Sequence, residues 1–276
     1  MKPAGKLFKK LLKDCRQDEG PMKRGKEIDV IYGVNTIRDL LRQSEDGWQK
    51  IIIASGRGGS SVKEIIDLAR TRNIPVEFHE RKYLDQLSGT SEHQGLVAFH
   101  KSFVYADLDV LIAHRNLSFT FDLILVLDSI MDPHNLGSII RTAYCMGANG
   151  VIIPEDRAAH VTAAVYKSSA GSVDQIPVSR VVNLAQSLDD LKERGFWIFG
   201  ADAHGGRNLR EVDFNCSVAL VLGGEEKGIR PLLKKKCDFL INIPIAGNFD
   251  SLNVSVAAGI IQYEIISQRE RVNKNL

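Results

Sequence analysis

The stretch Ile243-Pro244-Ile245-Ala246-Gly247-Asn248-Phe249-Asp250-Ser251-Leu252-Asn253-Val254-Ser255-Val256-Ala257 lies near the end of the chain and decides its fold. It predicts a strand, Phe239 to Ile243, that leads into a Pro/Gly loop and then into a helix running from Asn253 to about Arg269. Ser251 and Asn253 lie where this helix begins, and Ser and Asn are good helix caps. Helix capping alone would account for Ser251 and Asn253, so these two residues by themselves do not indicate a binding or catalytic site.

The composition is typical of a soluble globular protein. The chain has 276 residues, of which 44% are apolar and 25% charged, enough for one large or two modest domains. A net charge of +2 does not by itself indicate a nucleic-acid partner. Four scattered cysteines without a CxxC pair argue against a disulfide framework and against a zinc site, and they favour a reducing, cytoplasmic compartment. No apolar run is long enough to predict a membrane span.

The first 26 residues are strongly basic, with nine Lys/Arg and three acids. A solvated arm over residues 1–27 is the simplest interpretation. An arm that binds RNA phosphates is the sharper alternative, because clustered basic side chains gain affinity by releasing counterions. An organelle transit peptide is disfavoured by the three acids in so short a segment.

Residues 28–103 alternate between helical and strand patterns, which is typical of a small α/β domain. The glycine-rich loop Gly56-Arg57-Gly58-Gly59 lacks the Lys-Ser/Thr of a P-loop, so we interpret it as a turn. Residues 104–119 show no clear strand and are predicted to connect this domain to the next. The predicted elements of the first domain are the helix Val34–Gln43, the strand Lys50–Ala54, the helix Val62–Arg72, the strand Val76–Phe78, the helix Arg81–Leu87 and the strand Gly95–Phe99.

A second α/β domain is predicted over residues 120–276. Its strands are mostly apolar, as expected of parallel strands buried on both faces, and three of its helices are followed by glycine, the usual residue after a helix end. The predicted strands are Leu123–Leu127, Gly150–Ile153, Gln175–Val178, Phe196–Phe199, Val218–Leu222 and Phe239–Ile243. The predicted helices before the last one are Leu136–Met146, Val161–Ala170 and Leu184–Arg194.

Two further loops of this domain follow predicted strands and carry unusual polar residues. The loop after Leu123–Leu127 contains Asn135, and Arg141 follows it among apolar residues. An arginine in such surroundings is rarely buried without a partner, so it indicates either a structural ion pair or an anion-binding or catalytic role. After Val218–Leu222 comes Gly223-Gly224-Glu225-Glu226-Lys227-Gly228-Ile229. Its glycines permit close backbone approach, and Glu225 could cap the helix whose start Pro231 indicates. Ligands of open parallel sheets gather at the carboxyl ends of the strands, where all three loops are predicted to lie.

Taken in order, the three loops resemble the three motifs of the SpoU/TrmH family of RNA ribose 2′-O-methyltransferases. The matching strings are Asn135-x-Gly137-x-x-x-Arg141, Leu222-Gly223-Gly224-Glu225-x-x-Gly228, and Ile243–Gly247 with Ser251–Ala257. The first domain resembles the small L30e-like RNA-binding domain of that family, including Tyr32-Gly33-Val34-Asn35 and His93-Gln94-Gly95. One departure is Glu226, at a position where the family usually has glycine, and an extra carboxylate there could weaken RNA binding or favour another target.

The resemblance implies a SPOUT fold, in which an α/β methyltransferase domain with a parallel sheet and a C-terminal trefoil knot follows the L30e-like RNA-binding domain. It implies S-adenosyl-L-methionine as cofactor, RNA as partner, a homodimer and no metal. The implied cofactor-binding residues are Gly223, Gly224, Ile243 and Leu252, with Ile243 and Leu252 offering an apolar slot for adenine. The implied catalytic residues are Asn135, Arg141, Glu225, Ser251 and Asn253.

The role of Arg141 admits two hypotheses, a base that takes the 2′ proton or a group that holds phosphate and stabilises a developing alkoxide. A guanidinium stays protonated at physiological pH, so we favour the second hypothesis. The resemblance is greatest to family members that methylate a guanosine of 23S (large-subunit) rRNA. A tRNA or antibiotic-resistance rRNA methyltransferase and a non-catalytic RNA-binding protein stay open as alternatives, because the motifs face the cofactor and ribose, which all targets share.

Overall fold

The computed structural model describes residues 28–43, 47–114 and 120–273. The predicted basic arm, residues 1–27, lies outside the described residues. The chain divides into two compact units, the first ending at Val104 and the second beginning at Tyr105.

The first unit is a four-stranded mixed sheet with helices. Its strand order is β1-β4-β2-β3, with β4 antiparallel to β1 and β2, and β2 parallel to β3. Alternating apolar residues of the strands and one face of each helix form its core. The elements are β1 Ile28–Tyr32, α1 Val34–Gln43, β2 Trp48–Ala54, α2 Ser60–Thr71, β3 Val76–His79, α3 Arg81–Ser88 and β4 Leu96–Lys101.

The second unit is a seven-stranded sheet in which every neighbouring pair is parallel, in the order β7-β6-β5-β10-β8-β11-β9. The strands are β5 Leu123–Asp128, β6 Gly150–Pro154, β7 Val178–Val181, β8 Trp197–Ala201, β9 Arg207–Asn208, β10 Val218–Gly223 and β11 Phe239–Asn242. The helices are α4 Leu108–Ala113, α5 Pro133–Cys145, α6 Ala163–Ser169, α7 Leu184–Glu193, α8 Pro231–Lys236 and α9 Val254–Asn273. The α/β architecture with a parallel sheet is confirmed, and the trefoil knot stays a prediction.

The segment 104–119 contains a helix that its sequence pattern did not predict. Leu111 and Ile112 of α4 are buried in the same cluster as residues of β5 and β6. The six-residue helix is too short to display a clear period. The segment therefore contributes to the core of the second unit.

One strand prediction was wrong in its bounds, and two short strands were missed. The strand predicted over Gln175–Val178 begins only at Val178, because Ser172–Asp174 forms a 3₁₀ turn and Pro177 has no N–H for a ladder. The short strands β1 and β9 were not predicted.

Helix α9 is fixed to the sheet by a buried arginine. Arg269 is 4% exposed and donates to the backbone carbonyls of Phe121, Asp122, Phe214 and Cys216. Burial lowers the pKa of this guanidinium to about 10. Because Phe121 and Asp122 lead into β5 while Phe214 and Cys216 precede β10, one side chain joins the end of the chain to the starts of two central strands. Among the described residues, no helix has the length and apolar character needed to cross a membrane.

Candidate active site

The carboxyl ends of four adjacent strands, β5, β10, β8 and β11, form the edge at which the three predicted loops meet. A cavity of about 450 Å³ lies there. It is lined by six of the predicted site residues: Gly223, Gly224, Glu225, Ile243, Ser251 and Leu252. All four residues implied as cofactor contacts thus face one cavity. Its volume falls in the usual range for pockets that hold small molecules.

Asn135, Glu225 and Asn253 are joined by side-chain hydrogen bonds. Asn135 is buried in the first turn of α5, and its Nδ2 donates to Glu225 Oε1. Asn253 Nδ2 donates in turn to Asn135 Oδ1 at 3.1 Å. One residue from each of the three loops therefore belongs to a single hydrogen-bonded chain beside the cavity. Glu225 is engaged with Asn135 rather than capping α8, whose N-cap position is occupied by Arg230.

Asn253 also caps the helix that follows it. Its Oδ1 accepts from the backbone N–H of Ser255 at 2.9 Å, while its Nδ2 is turned to Asn135. Capping and the contact with the other loops are thus compatible. Ser251 lies three residues before α9, exposed on the cavity wall, so it does not act as the cap that its position had suggested.

Arg141 lies in the third turn of α5 with its side chain exposed. Of the two interpretations that the sequence left open for Arg141, the structural ion pair is not found, because Arg141 has no hydrogen bond or ion pair to any residue that the structure describes. Its apolar neighbours Ile139, Ile140 and Ala143 point into the core, and Arg141 occupies the opposite face of the helix. The guanidinium is therefore free to bind an anion.

Gly223, which ends β10, and Gly224, which follows it, are required by close packing of the backbone around them. A Cβ at Gly223 would lie 2.0 Å from the carbonyl carbon of Gly228, and one at Gly224 would lie 2.4 Å from the carbonyl oxygen of Ser129. Gly224 and Gly228 also pair as an isolated β-bridge. The sequence predicts that Gly223 allows the close approach of a ligand; in the structure its missing side chain allows the loop to pack against Gly228.

A buried carboxylate holds the same loop from its other end. Asp128, the last residue of β5, is fully buried and accepts from the backbone N–H of Arg230 at 2.8 Å and from Arg230 Nε at 2.7 Å. The next residue, Ser129, has a φ of 62°, a conformation that is costly for a residue other than glycine. Asp128 was not among the predicted site residues, although a carboxylate that ends an apolar strand is a signal that could have identified it.

The loop after β8 supplies a further wall of the cavity and was not among the predicted site loops. Ala201, Asp202, Ala203 and His204 line it, together with Lys234 of α8. The available signal was the position of this loop directly after a buried strand at the ligand-binding edge of a parallel sheet. No cluster of metal-ligating side chains occurs in the part of the chain that the structure describes.

In the first unit, the two segments with an L30e-like pattern come together. The backbone N–H of Val34 donates to Gln94 Oε1 at 3.3 Å, and Gly33 N–H donates to Leu96 O at 3.2 Å. A second cavity of about 320 Å³ lies beside them and is lined by Asn35, Arg57 and Gln94, among others. Arginine and amide groups around a cavity suit a nucleic-acid contact.

Each of the two units matches a known protein-family model. Residues 122–263 match the model of the SpoU rRNA methylase family, and residues 30–106 match the model for RNA 2′-O ribose methyltransferase substrate binding. YacO of Bacillus subtilis, assigned to the TrmH family of tRNA/rRNA methyltransferases, is 42% identical over 246 residues, covering 89% of this chain and 98% of YacO.

Two solved structures are similar over most of both chains. The SpoU methyltransferase AviRb from Streptomyces viridochromogenes, in complex with AdoMet, has a TM-score of 0.65 and 28% identity and covers 88% of this chain and 91% of its own. An AdoMet-bound rRNA methyltransferase from Sinorhizobium meliloti has a TM-score of 0.60 and 25% identity, with 86% of each chain covered.

Proposed function

The chain belongs to the SpoU/TrmH family of RNA 2′-O-methyltransferases, enzymes that use S-adenosylmethionine, and from this we propose that it methylates the ribose 2′-hydroxyl of a guanosine in 23S rRNA, as an enzyme of the RlmB type. The observation that carries the proposal is the hydrogen-bonded chain from Glu225 through Asn135 to Asn253, which unites the three family motifs at one cavity.

The cavity suits S-adenosylmethionine by its chemistry. Ile243 and Leu252 offer apolar side chains to an adenine ring, and Gly223 and Gly224 line the same cavity with backbone atoms alone. When bound, the cofactor supplies a methyl group carried on a sulfonium centre. We assign Gly223, Gly224, Ile243 and Leu252 to hold it.

The protein groups around the cavity account for methyl transfer through position and charge. The nucleophilic 2′-oxygen has to lie in line with the methyl group at about 3 Å, so positioning supplies a large part of the rate. Arg141, exposed and without a partner among the described residues, is assigned to hold a phosphate of the target nucleotide and to stabilise the developing alkoxide. Asn135, Glu225 and Asn253 are assigned to hold the three loops in place through their hydrogen bonds, and Ser251 is assigned to face the nucleotide from the cavity wall.

The choice of 23S rRNA is supported by the arrangement of the whole chain. A substrate-binding unit precedes the catalytic unit, and the Sinorhizobium meliloti rRNA methyltransferase is similar over 86% of the chain. The RNA contact in the first unit is assigned to the cavity at Asn35, Arg57 and Gln94. A tRNA target is the second candidate, because YacO is described with both kinds of RNA.

Transfer of tritium from S-adenosylmethionine to purified RNA tests the proposal. We expect label in 23S rRNA lacking 2′-O-methylation, at one guanosine, and none in tRNA. Label confined to tRNA would replace the proposed target by the second candidate. Cofactor binding without transfer to either RNA would favour a non-catalytic RNA-binding protein.

A homodimer is part of the same proposal. Val256, Ile260 and Tyr263 are exposed at positions that share one face of α9, and Arg141 lies on the neighbouring helix α5. A second copy covering this face would bring its own side chains close to Arg141. Sedimentation should give a dimer for the native chain and a monomer for Ile260→Asp, whereas Leu232→Asp, on exposed Leu232 of α8, should stay dimeric. A native chain that sediments as a monomer contradicts this assignment.

A further inference from the structure

Asp202 and Lys234 form an ion pair on a wall of the larger cavity that the assigned cofactor residues do not cover. Asp202 Oδ2 lies 2.6 Å from Lys234 Nζ, and both residues line the cavity. The side chain of Asp202 is only 15% exposed. Its backbone N–H donates to Ile241 O at 2.9 Å, which ties the loop after β8 to β11. The carboxylate is therefore held at a fixed place on the wall.

The order of the strands places this carboxylate in the middle of the site. Along the edge, β8 lies between β10, which leads into Glu225, and β11, which leads into Ile243. Glu225 and its partner Asn135 mark the end at which the methyl group is transferred, and Ile243 belongs to the apolar slot for adenine. The ribose of S-adenosylmethionine connects the sulfonium centre to adenine, so it falls beside the loop that carries Asp202.

A carboxylate is the acceptor that best suits the two neighbouring hydroxyls of a ribose, and α/β folds that bind dinucleotides use an acid after a strand in this way. We infer that Asp202 accepts hydrogen bonds from the ribose hydroxyls of the bound cofactor and that Lys234 is its positioning residue. This inference rests on the proposed function, because it takes the cavity as the cofactor site. The ion pair balances the charge of Asp202 and restricts its side chain to one orientation.

Calorimetric titration with two ligands tests the inference. S-adenosylhomocysteine carries ribose and the amino-acid end, whereas 5′-methylthioadenosine carries the same ribose without the amino acid. In Asp202→Ala we expect the affinity for both ligands to fall by the same factor, about 10- to 100-fold, the range for a hydrogen bond to a charged group. Asp202→Asn should lose less affinity than Asp202→Ala, because the amide oxygen of asparagine can still accept a hydrogen bond from a ribose hydroxyl. Lys234→Met should lower the affinity for both ligands by a smaller common factor. Lys234→Arg should keep most of the wild-type affinity, because it preserves the positive charge.

Asp189→Ala is the matched control. Asp189 of α7 forms an ion pair of the same 2.6 Å length with Lys236, on the same helix as Lys234, but neither residue lines the cavity. Its ligand affinities should stay at the wild-type values, and thermal unfolding without ligand should verify that each variant is folded.

A loss confined to S-adenosylhomocysteine would overturn the inference in favour of recognition of the amino-acid end, and unchanged affinities in Asp202→Ala would overturn it outright. Both results would leave the proposed function intact. If the wild-type chain itself bound neither ligand, the cofactor site and this inference would fall together.

Discussion

Asn253 Nδ2 donates a hydrogen bond to Asn135 Oδ1 over 3.1 Å, although 118 positions separate the two residues along the chain. The bond joins the start of α9 to the first turn of α5. Asn135 is buried and also donates to Glu225. Removing the side-chain amide of Asn135 or of Asn253 therefore leaves hydrogen-bonding groups of the remaining residues without these partners.

We expect Asn135→Ala to lower methyl transfer about 100-fold, since one unmade hydrogen bond in such a chain costs about 1–3 kcal/mol. Cofactor affinity should change little, because Asn135 does not line the cavity. Initial rates and calorimetric titration measure the two effects. In a double-mutant cycle with Asn253→Ala the losses should fall short of additive. Full additivity would mean that the two amides act independently.

Arg141→Ala should lose at least about 100-fold in turnover, the scale of removing one group that stabilises transition-state charge, while binding S-adenosylhomocysteine normally. Arg141→Lys should recover part of the rate, because it keeps the charge but not the two-pronged geometry. Single-turnover assays on 23S rRNA measure both. Near-normal turnover in the alanine variant would remove Arg141 from the catalytic residues.

Gly223→Ala should prevent the loop after β10 from closing. The added Cβ would meet the backbone of Gly228 and Ile229 at 2.0–2.2 Å, and such overpacking costs about 1–3 kcal/mol. We expect a lower midpoint of urea unfolding and at least tenfold weaker binding of S-adenosylhomocysteine. Gly247→Ala is the comparison for stability, since a Cβ at Gly247 meets nothing within 4 Å. Equal unfolding midpoints for the two variants would contradict the packing argument.

Arg269→Met should destabilise the second unit by about 3–5 kcal/mol. The change removes the guanidinium donor of the Phe121, Phe214 and Cys216 carbonyls, at about 1–3 kcal/mol for each group that water cannot reach. The carbonyl of Asp122 keeps the N–H of Val218 as a donor at 2.9 Å. Urea unfolding followed by circular dichroism gives the free energy. Arg271→Met, two residues further along the same helix, removes an exposed side chain whose one hydrogen bond within the described residues is to Ser267 Oγ at 3.2 Å. This change should cost less than about 0.5 kcal/mol.

Alkylation should distinguish two of the cysteines by pH. Burial raises the pKa of the Cys237 thiol to about 11, and the thiolate is the reactive form. Cys237 should therefore resist iodoacetamide at pH 8 and gain reactivity only as the pH approaches 11. Cys145 is exposed and should be alkylated at pH 8. Peptide mass spectrometry after short pulses reads out both sites, and rapid labelling of Cys237 at pH 8 would contradict its burial.

Local sequence patterns predicted many of the strands and helices. Uninterrupted apolar runs predicted β5, β6 and β10, because a parallel strand buried on both faces has no polar position. The three helices predicted to end at glycine do so, with Gly147, Gly171 and Gly195 all at positive φ. Weak or short patterns failed, as for α4 and β9, because an element of a few residues is held by its neighbours rather than by its own periodicity.

The sequence by itself determined the alternation of strands and helices, the places where polar loops leave the sheet, and the family to which those loops belong. Only the tertiary structure decided which loops meet. It set β10 between β5 and β8, closed Gly223 against Gly228, paired Asp128 with Arg230 across 102 positions, and turned Arg141 to the surface. The physical reason is that local propensity and periodicity act within a few residues. Contacts between distant residues depend on strand order and packing, which form only when the whole core assembles.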